Sequence, residues 1–118
     1  MSRNRRRLEN KRMSLHPATR MLLAIEELRK LDPEMPAQVA AVLLAVAKQP
    51  GFTQREAMSQ FGLSSSSASR VFTRLSDLPG GLSLLRMAED PADRRFKSAR
   101  LTPNGERVLR SITRIMEG

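Results

Sequence analysis

The stretch from Ser64 to Leu78 constrains the fold of this chain more than any other. Its sequence is S-S-S-S-A-S-R-V-F-T-R-L-S-D-L. The apolar residues fall at i, i+3, i+4 and i+7 and so share one side of a helix: Ala68, Val71, Phe72 and Leu75. The opposite side carries hydroxyl and guanidinium groups: Ser66, Ser67, Arg70, Thr73 and Arg74. Side chains of this kind hydrogen-bond to base edges and phosphates in the DNA major groove.

A second helix is predicted just before this stretch. The tetrapeptide T-Q-R-E, Thr53 to Glu56, is a capping-box pattern, in which the Thr hydroxyl and the Glu carboxylate each accept from an otherwise unpaired backbone N–H. Gly62 ends that helix and Ser64 caps the next one. Two helices joined by a short turn, the second with a polar outer face, predict a helix-turn-helix.

Each of these features also has a simpler interpretation. Four consecutive serines often form a solvated linker, because serine competes with the helix for backbone hydrogen bonds. Arg70 and Arg74 could equally form a solvated helix face. The preceding capped helix and the apolar stripe that begins inside the serine run favour the helix-turn-helix.

Charge narrows the class of partner. Lys and Arg number 21 against 12 Asp and Glu, a net charge of +9. This balance indicates a polyanionic partner, nucleic acid first and an acidic membrane surface second. The chain has no Cys, no apolar run long enough to span a membrane and no signal-peptide pattern, so a soluble cytoplasmic protein is expected.

Residues 1–15 are predicted to form a basic, disordered arm, because like charges dominate and apolar groups are few. The arm could be a solubilising tail, or even an extension upstream of a true start at Met13. It could instead be a segment that follows DNA phosphates or enters a minor groove. In that last case six cations would contact phosphate: Arg3, Arg5, Arg6, Arg7, Lys11 and Arg12. His16, the only histidine, is expected to lie on the surface.

Residues 16–118 are predicted to form one domain. A helix from Pro17 to Leu31 and another opening at Pro36 carry apolar stripes that are interpreted as core. Their residues are Met21, Leu22, Ile25 and Leu28 in the first helix, and Val39, Val42, Leu43 and Val46 in the second. A last helix is predicted over 103–117, with Thr102 as its cap and an apolar stripe from Val108 to Met116.

Residues 82–101 are predicted to form a β-hairpin. Two extended runs, Leu82 to Met87 and Phe96 to Leu101, flank a polar turn longer than the two-residue kind. Arg94, Arg95 and Lys97 lie at its tip and returning strand, where a cation could reach an adjacent minor groove.

Catalysis is the least supported class of function. The sequence contains no nucleophile and base arrangement, no H-E-x-x-H motif and no Gly-rich phosphate loop after a strand. It therefore predicts no enzyme, no metal site and no cofactor.

The chain resembles the MarR-type winged helix-turn-helix transcriptional regulators from about Thr53 to Arg114. F-G-L-S-S-S-S-A-S-R-V-F-T-R-L resembles the family's turn and recognition helix, and D-P-A-D-R-R-F-K-S-A-R-L-T-P-N-G resembles its wing. The resemblance implies that Ser65, Ser66, Ser67 and Arg70 face the major groove. It also implies that Arg95 enters the minor groove while Asp93 orients it through a carboxylate–guanidinium pair.

The expected fold is mainly α with a small β-hairpin, a winged helix-turn-helix. The expected function is a transcriptional regulator, a repressor, that binds an inverted repeat of double-stranded DNA as a homodimer. The resemblance makes a small-molecule effector conceivable, but no residue marks its pocket. The alternative is an RNA-associated or plasmid or phage replication protein. Four Phe and no Tyr or Trp argue against it, since RNA modules stack bases on aromatic rings and only Phe52 and Phe96 are expected outside the core.

Overall fold

The computed structural model describes residues 15–118. Within them the helices are α1 Pro17–Leu31, α2 Ala37–Lys48, α3 Gln54–Phe61, α4 Ser65–Leu75 and α5 Pro103–Glu117. The strands are β1 Phe52–Thr53, β2 Leu85–Asp90 and β3 Asp93–Leu101, in an antiparallel sheet of order β1-β3-β2. The mainly α fold with a β-hairpin is confirmed. The two-residue β1 adds a third strand that the sequence did not predict.

The predicted helix caps are present. Thr53, Ser64 and Thr102 each accept, through the side-chain oxygen, a hydrogen bond from the backbone N–H three residues on, at 3.0, 3.1 and 3.0 Å. These bonds satisfy amides that have no partner within their own helix. His16 is exposed, as expected, and also caps α1, because its Nδ1 accepts from the Ala18 N–H at 3.0 Å.

The core forms where α2 and α4 meet the sheet. The predicted stripes of both helices are buried, Val39 to Val46 in α2 and Ala68 to Leu75 in α4. Phe72 is fully enclosed. Burial of one such side chain stabilises the fold by about 1.5–3 kcal/mol. The polar face of α4 is therefore fixed outward by the burial of the opposite face.

The apolar stripe of α1 is not core, contrary to the sequence prediction. Only Leu28 is buried, whereas Met21, Leu22 and Ile25 are 56, 58 and 49% exposed. The reason is that α1 packs along α5 and not across the α2–α4 core, and Arg20 Nη1 donates to the Met116 carbonyl at 2.9 Å. The stripe of α5 is divided in the same way, with Ile112 buried and Met116 exposed.

The first strand of the hairpin begins later than predicted, at Leu85 instead of Leu82. The backbone amides of Leu82, Ser83 and Leu84 donate to carbonyls at the end of α4, those of Arg74, Ser76 and Leu75, each at 2.9 Å. Residues 82–84 therefore satisfy the carbonyls at the C-terminal end of α4 and are not free to join a ladder.

The hairpin turn is shorter than predicted. Asp90 and Asp93 are register partners, so only Pro91 and Ala92 connect the strands, and β3 begins at Asp93 rather than Phe96. Asp90 Oδ1 accepts from the Ala92 N–H at 2.9 Å, a side-chain-to-backbone turn of the kind Asp favours. This local bond replaces the longer loop that the run of polar residues suggested.

Candidate nucleic-acid interface

The helix-turn-helix consists of α3, a turn and α4. Glu56 Oε1 accepts from the Thr53 N–H at 3.1 Å, which completes the capping box at the start of α3. Gly62 has φ of 66°, in the left-handed region where a Cβ is costly, and so ends α3 without strain. Because α3 packs on α4, the outer face of α4 is presented by two helices that position one another.

The polar face of α4 is open to solvent at four of its predicted contact positions. Ser65, Ser66, Arg70 and Thr73 are exposed, and Ser67 is half-buried. Arg70 Nη2 donates to Ser67 Oγ at 3.2 Å, which aligns the guanidinium along the helix. These side chains can supply donors and acceptors to base edges at little desolvation cost. Their contact with DNA remains a prediction.

Arg74 differs from the other residues of this face. It is half-buried, and its Nε and Nη2 both donate to Asp32 Oδ2, the Nε at 3.0 Å. Asp32 follows the last residue of α1, so the ion pair joins the C-terminal end of α4 to the α1–α2 connection. Its DNA contact also remains a prediction. Sequence reasoning did not identify Asp32, because the two residues lie 42 positions apart and no local pattern links them.

The wing tip contains the pair that the resemblance implies. Arg95 Nε and Nη2 donate to the two oxygens of Asp93 at 3.0 and 2.7 Å. These bonds, with a third from the Arg95 backbone N–H at 3.1 Å, lower the pKa of Asp93 to about 2. The Arg95 guanidinium carbon lies 5.6 Å from the centre of the Phe96 ring. The guanidinium is thus held in a fixed direction although its side chain is 81% exposed.

The other two predicted wing cations are less constrained. Arg94 Nε is 3.9 Å from Glu89 Oε2 and its side chain is 89% exposed. Lys97 is exposed and lies opposite Glu89 in the β2–β3 register. Exposed pairs of this kind contribute little to stability, so both cations are available for phosphate.

Two interactions between the first turn of α3 and the wing were not predicted. Arg55 Nε donates to Asp90 Oδ2 at 2.7 Å, and Gln54 Oε1 accepts from the Lys97 N–H at 2.8 Å. Asp90 is 1% exposed and Gln54 is 6% exposed. Both contacts connect residues more than thirty positions apart, so helical periodicity and turn patterns carry no signal for them.

The six cations proposed for the N-terminal arm, Arg3 to Arg12, lie outside the described residues, and so does most of the predicted arm itself. Residues 15–118 hold no cluster of three or more His, Cys, Asp or Glu side chains arranged for a metal ion. No helix in the same range is long and apolar enough to cross a membrane.

Phe52 is more buried than the sequence suggested, whereas Phe61, which was expected in the core, is half-buried. Phe52 was expected outside the core but is 1% exposed, because β1 pairs with β3 and turns its ring inward. The ring centre of Phe61 lies 6.3 Å from that of Phe52. Phe96, half-buried, lies beneath Arg95. Among the aromatic side chains of the described residues only Phe61 and Phe96 reach solvent, and both are half-buried, so little aromatic surface is available for stacking RNA bases.

These elements define a winged helix-turn-helix protein, and comparison with solved structures identifies its family. The PcaV transcriptional regulator from Streptomyces coelicolor is 31% identical over 88% of this chain and 74% of its own, with a TM-score of 0.56. A structure of MarR is 25% identical over 78% of this chain, with a TM-score of 0.61. The chain belongs to the MarR family of transcriptional regulators.

The remaining comparisons bear on the fold and on length. The S. aureus MepR–DNA complex has a TM-score of 0.66 at 19% identity, a likeness of fold. The chain spans 63% of the length of MarR and 67% of that of a Thermotoga maritima transcriptional regulator. A scan against protein-family models gave no match. A search of curated proteins gave none.

Proposed function

We propose that this protein is a sequence-specific double-stranded DNA-binding regulator that represses transcription. The observation that carries the proposal is that two exposed polar surfaces lie on the same domain. One is the Ser65, Ser66, Arg70 and Thr73 face of α4, and the other is the Asp93–Arg95 pair at the wing tip. In this proposal α4 enters the major groove and Arg95 the adjacent minor groove.

The proposal includes a homodimer on an inverted repeat. Residues Met21, Leu22 and Ile25 of α1 form an exposed apolar row, and Leu23 of α1 and Met116 of α5 are exposed as well. A second copy of the chain that covers these residues would remove them from water and would bring two α4 helices to one face. Two α4 helices about 34 Å apart would match successive major grooves. A dimer bound across a promoter would exclude RNA polymerase, which is the basis for a repressor.

The proposed dimer is tested by changing Leu22 to Lys and Ile25 to Lys in one chain. Both side chains are about half-exposed in the monomer, so the fold should survive while the apolar row is interrupted by charge. Light scattering after size exclusion should show a dimer for the parent and a monomer for the variant. Leu78→Lys, at another exposed apolar position, is the matched control and should remain dimeric. A dimer in all three proteins would place the interface elsewhere.

The DNA-binding proposal is tested by fluorescence anisotropy at two salt concentrations. The ligands are the duplex upstream of the protein's own gene, a shuffled duplex and a matched RNA. Sequence-specific binding predicts an affinity for the upstream duplex about a hundredfold higher than for the other two ligands, or about 3 kcal/mol. This difference in affinity should persist at the higher salt concentration. Equal binding to all three that disappears with salt would favour the RNA-associated or replication alternative. A small-molecule effector would be a compound that reduces the affinity for the upstream duplex relative to the shuffled duplex.

A further inference from the structure

The carboxylate of Asp90 is a buried charge at the end of the wing. Its side chain is 2% exposed, one oxygen accepts from Arg55 Nε at 2.7 Å and the other from the Ala92 N–H at 2.9 Å. The bond from Arg55 is the main reason that the pKa of Asp90 lies below its usual range, and burial opposes it. Removing Arg55 would leave the buried Asp90 carboxylate without a counter-charge, which is energetically costly. The ion pair is therefore expected to remain formed in the folded chain.

The wing tip needs support from outside the hairpin. The ladder between β2 and β3 is regular up to Glu89 opposite Lys97, and the next register pair is Asp90 opposite Asp93. The β3 residues between these pairs, Arg94 to Phe96, have no register partner in β2. Arg95 therefore lies in an irregular segment, where β pairing alone does not fix its direction.

That support comes from the first turn of α3. Gln54 and Arg55 are the first two residues of α3, and they bind the two strands of the wing separately. Gln54 accepts from the Lys97 N–H in β3, and Arg55 donates to Asp90 in β2. Since α3 also packs on α4, the wing and the recognition helix are both aligned on one short helix.

We propose that Arg55, acting through Asp90, is a positioning residue that aims Arg95 at the minor groove while α4 occupies the major groove. The inference rests on the proposed DNA-binding function. In this inference Arg55, in the first turn of α3, contributes to DNA sequence specificity without contacting a base. A small change in wing angle would displace the Arg95 guanidinium from the groove and leave the contacts of α4 intact.

The test uses the full chain and the duplex that it binds most tightly. Arg55→Met keeps the aliphatic stem and removes the donor, and Asp90→Asn keeps the shape and removes the charge. Each should weaken binding by about tenfold, the lower range for one lost arginine contact. In the Arg95→Ala background neither should weaken binding further. Arg29→Met, which breaks an exposed pair with Glu26 at 2.8 Å, is the matched control and should bind as the parent does.

A base-specific readout separates positioning from a general loss of structure. The parent should discriminate A·T from G·C pairs at the flank that the wing reaches. Arg55→Met should lose that discrimination and keep its preference at positions read by α4. Arg55→Lys, which retains a charged donor, should recover part of it. A variant that is merely unstable would lose active protein and keep both preferences.

Three results would overturn the inference. The first is parental affinity and parental flank discrimination in both Arg55→Met and Asp90→Asn. The second is an equal loss on every duplex for Arg55→Met but none for Asp90→Asn, which would make Arg55 a direct phosphate contact. The third is full additivity with Arg95→Ala. If either single variant fails to fold, the double variant Arg55→Met with Asp90→Asn decides, because it removes both charges and leaves no unpaired carboxylate buried in the wing. A parent protein with no preferred duplex would refute the proposed function instead.

Discussion

Replacement of Arg70 by Ala should reduce sequence discrimination without reducing stability. Arg70 is exposed and makes one hydrogen bond, Nη2 to Ser67 Oγ at 3.2 Å, with no ion pair among residues 15–118. Ala has the higher helix propensity. The free energy of unfolding should therefore change by no more than about 0.5 kcal/mol, the usual range for a surface position.

The effect on binding depends on what the guanidinium contacts. A bidentate bond to a guanine would contribute about 1–3 kcal/mol of discrimination, so Arg70→Ala should weaken binding about 5- to 150-fold. The loss should be confined to duplexes that carry the preferred base pair at one position, and variants of that pair should then bind equally well.

Anisotropy titrations against a set of duplexes, each changed at one position, measure this effect. Arg107→Ala, at an exposed arginine of α5, removes the same charge and should leave the pattern of preferences unchanged. An equal loss across every duplex would refute base recognition by Arg70 and would indicate a phosphate contact.

Three further predictions concern the N-terminal arm, the wing tip and the first turn of α5. Deletion of residues 1–12 should flatten the salt dependence by up to six phosphate equivalents and preserve the preferred site; an unchanged slope would exclude phosphate contacts by the arm. The bonds from Arg95 lower the pKa of Asp93 from the ordinary 3.8 to about 2. The ionised Asp93 carboxylate therefore stabilises the fold fully above about pH 4, and this stabilisation is lost as the pH falls through 2. Carboxyl carbon NMR should follow this titration, and Arg95→Ala should raise the midpoint; an unmoved midpoint would contradict the pairing. Gly105→Ala should destabilise the fold by about 1–3 kcal/mol in urea unfolding, because its Cβ would lie 2.3 Å from the Leu84 carbonyl oxygen; parental stability would show that this contact relaxes freely.

Local chemistry made the helix-turn-helix predictable. Thr53, Gly62 and Ser64 interact with residues within four positions of themselves, so the local sequence is enough to predict that they begin or end a helix. The stripe of α4 carries the same kind of information, since a helix with one apolar face has one way to bury it. The wing motif located Asp93 and Arg95, which are only two residues apart.

The misplaced elements depend on contacts that are distant in the sequence. Residues 82–84 have the composition of a strand, but their amides donate to carbonyls at the end of α4 and are therefore not available for strand pairing. The stripe of α1 has helical periodicity, which does not tell whether an apolar helix face is buried in the core or exposed. The pairs Asp32–Arg74 and Arg55–Asp90 join residues 42 and 35 positions apart, and only the folded chain brings them together.

Methylation protection on the bound duplex tests the central claim most directly, because dimethyl sulfate modifies guanine N7 in the major groove and adenine N3 in the minor groove. The account predicts two patches of guanine protection one helical turn apart, each flanked by adenine protection. Arg70→Ala should lose guanine protection alone, and Arg95→Ala should lose adenine protection alone. A fully bound duplex with every guanine N7 as reactive as in free DNA would contradict the placement of α4 in the major groove.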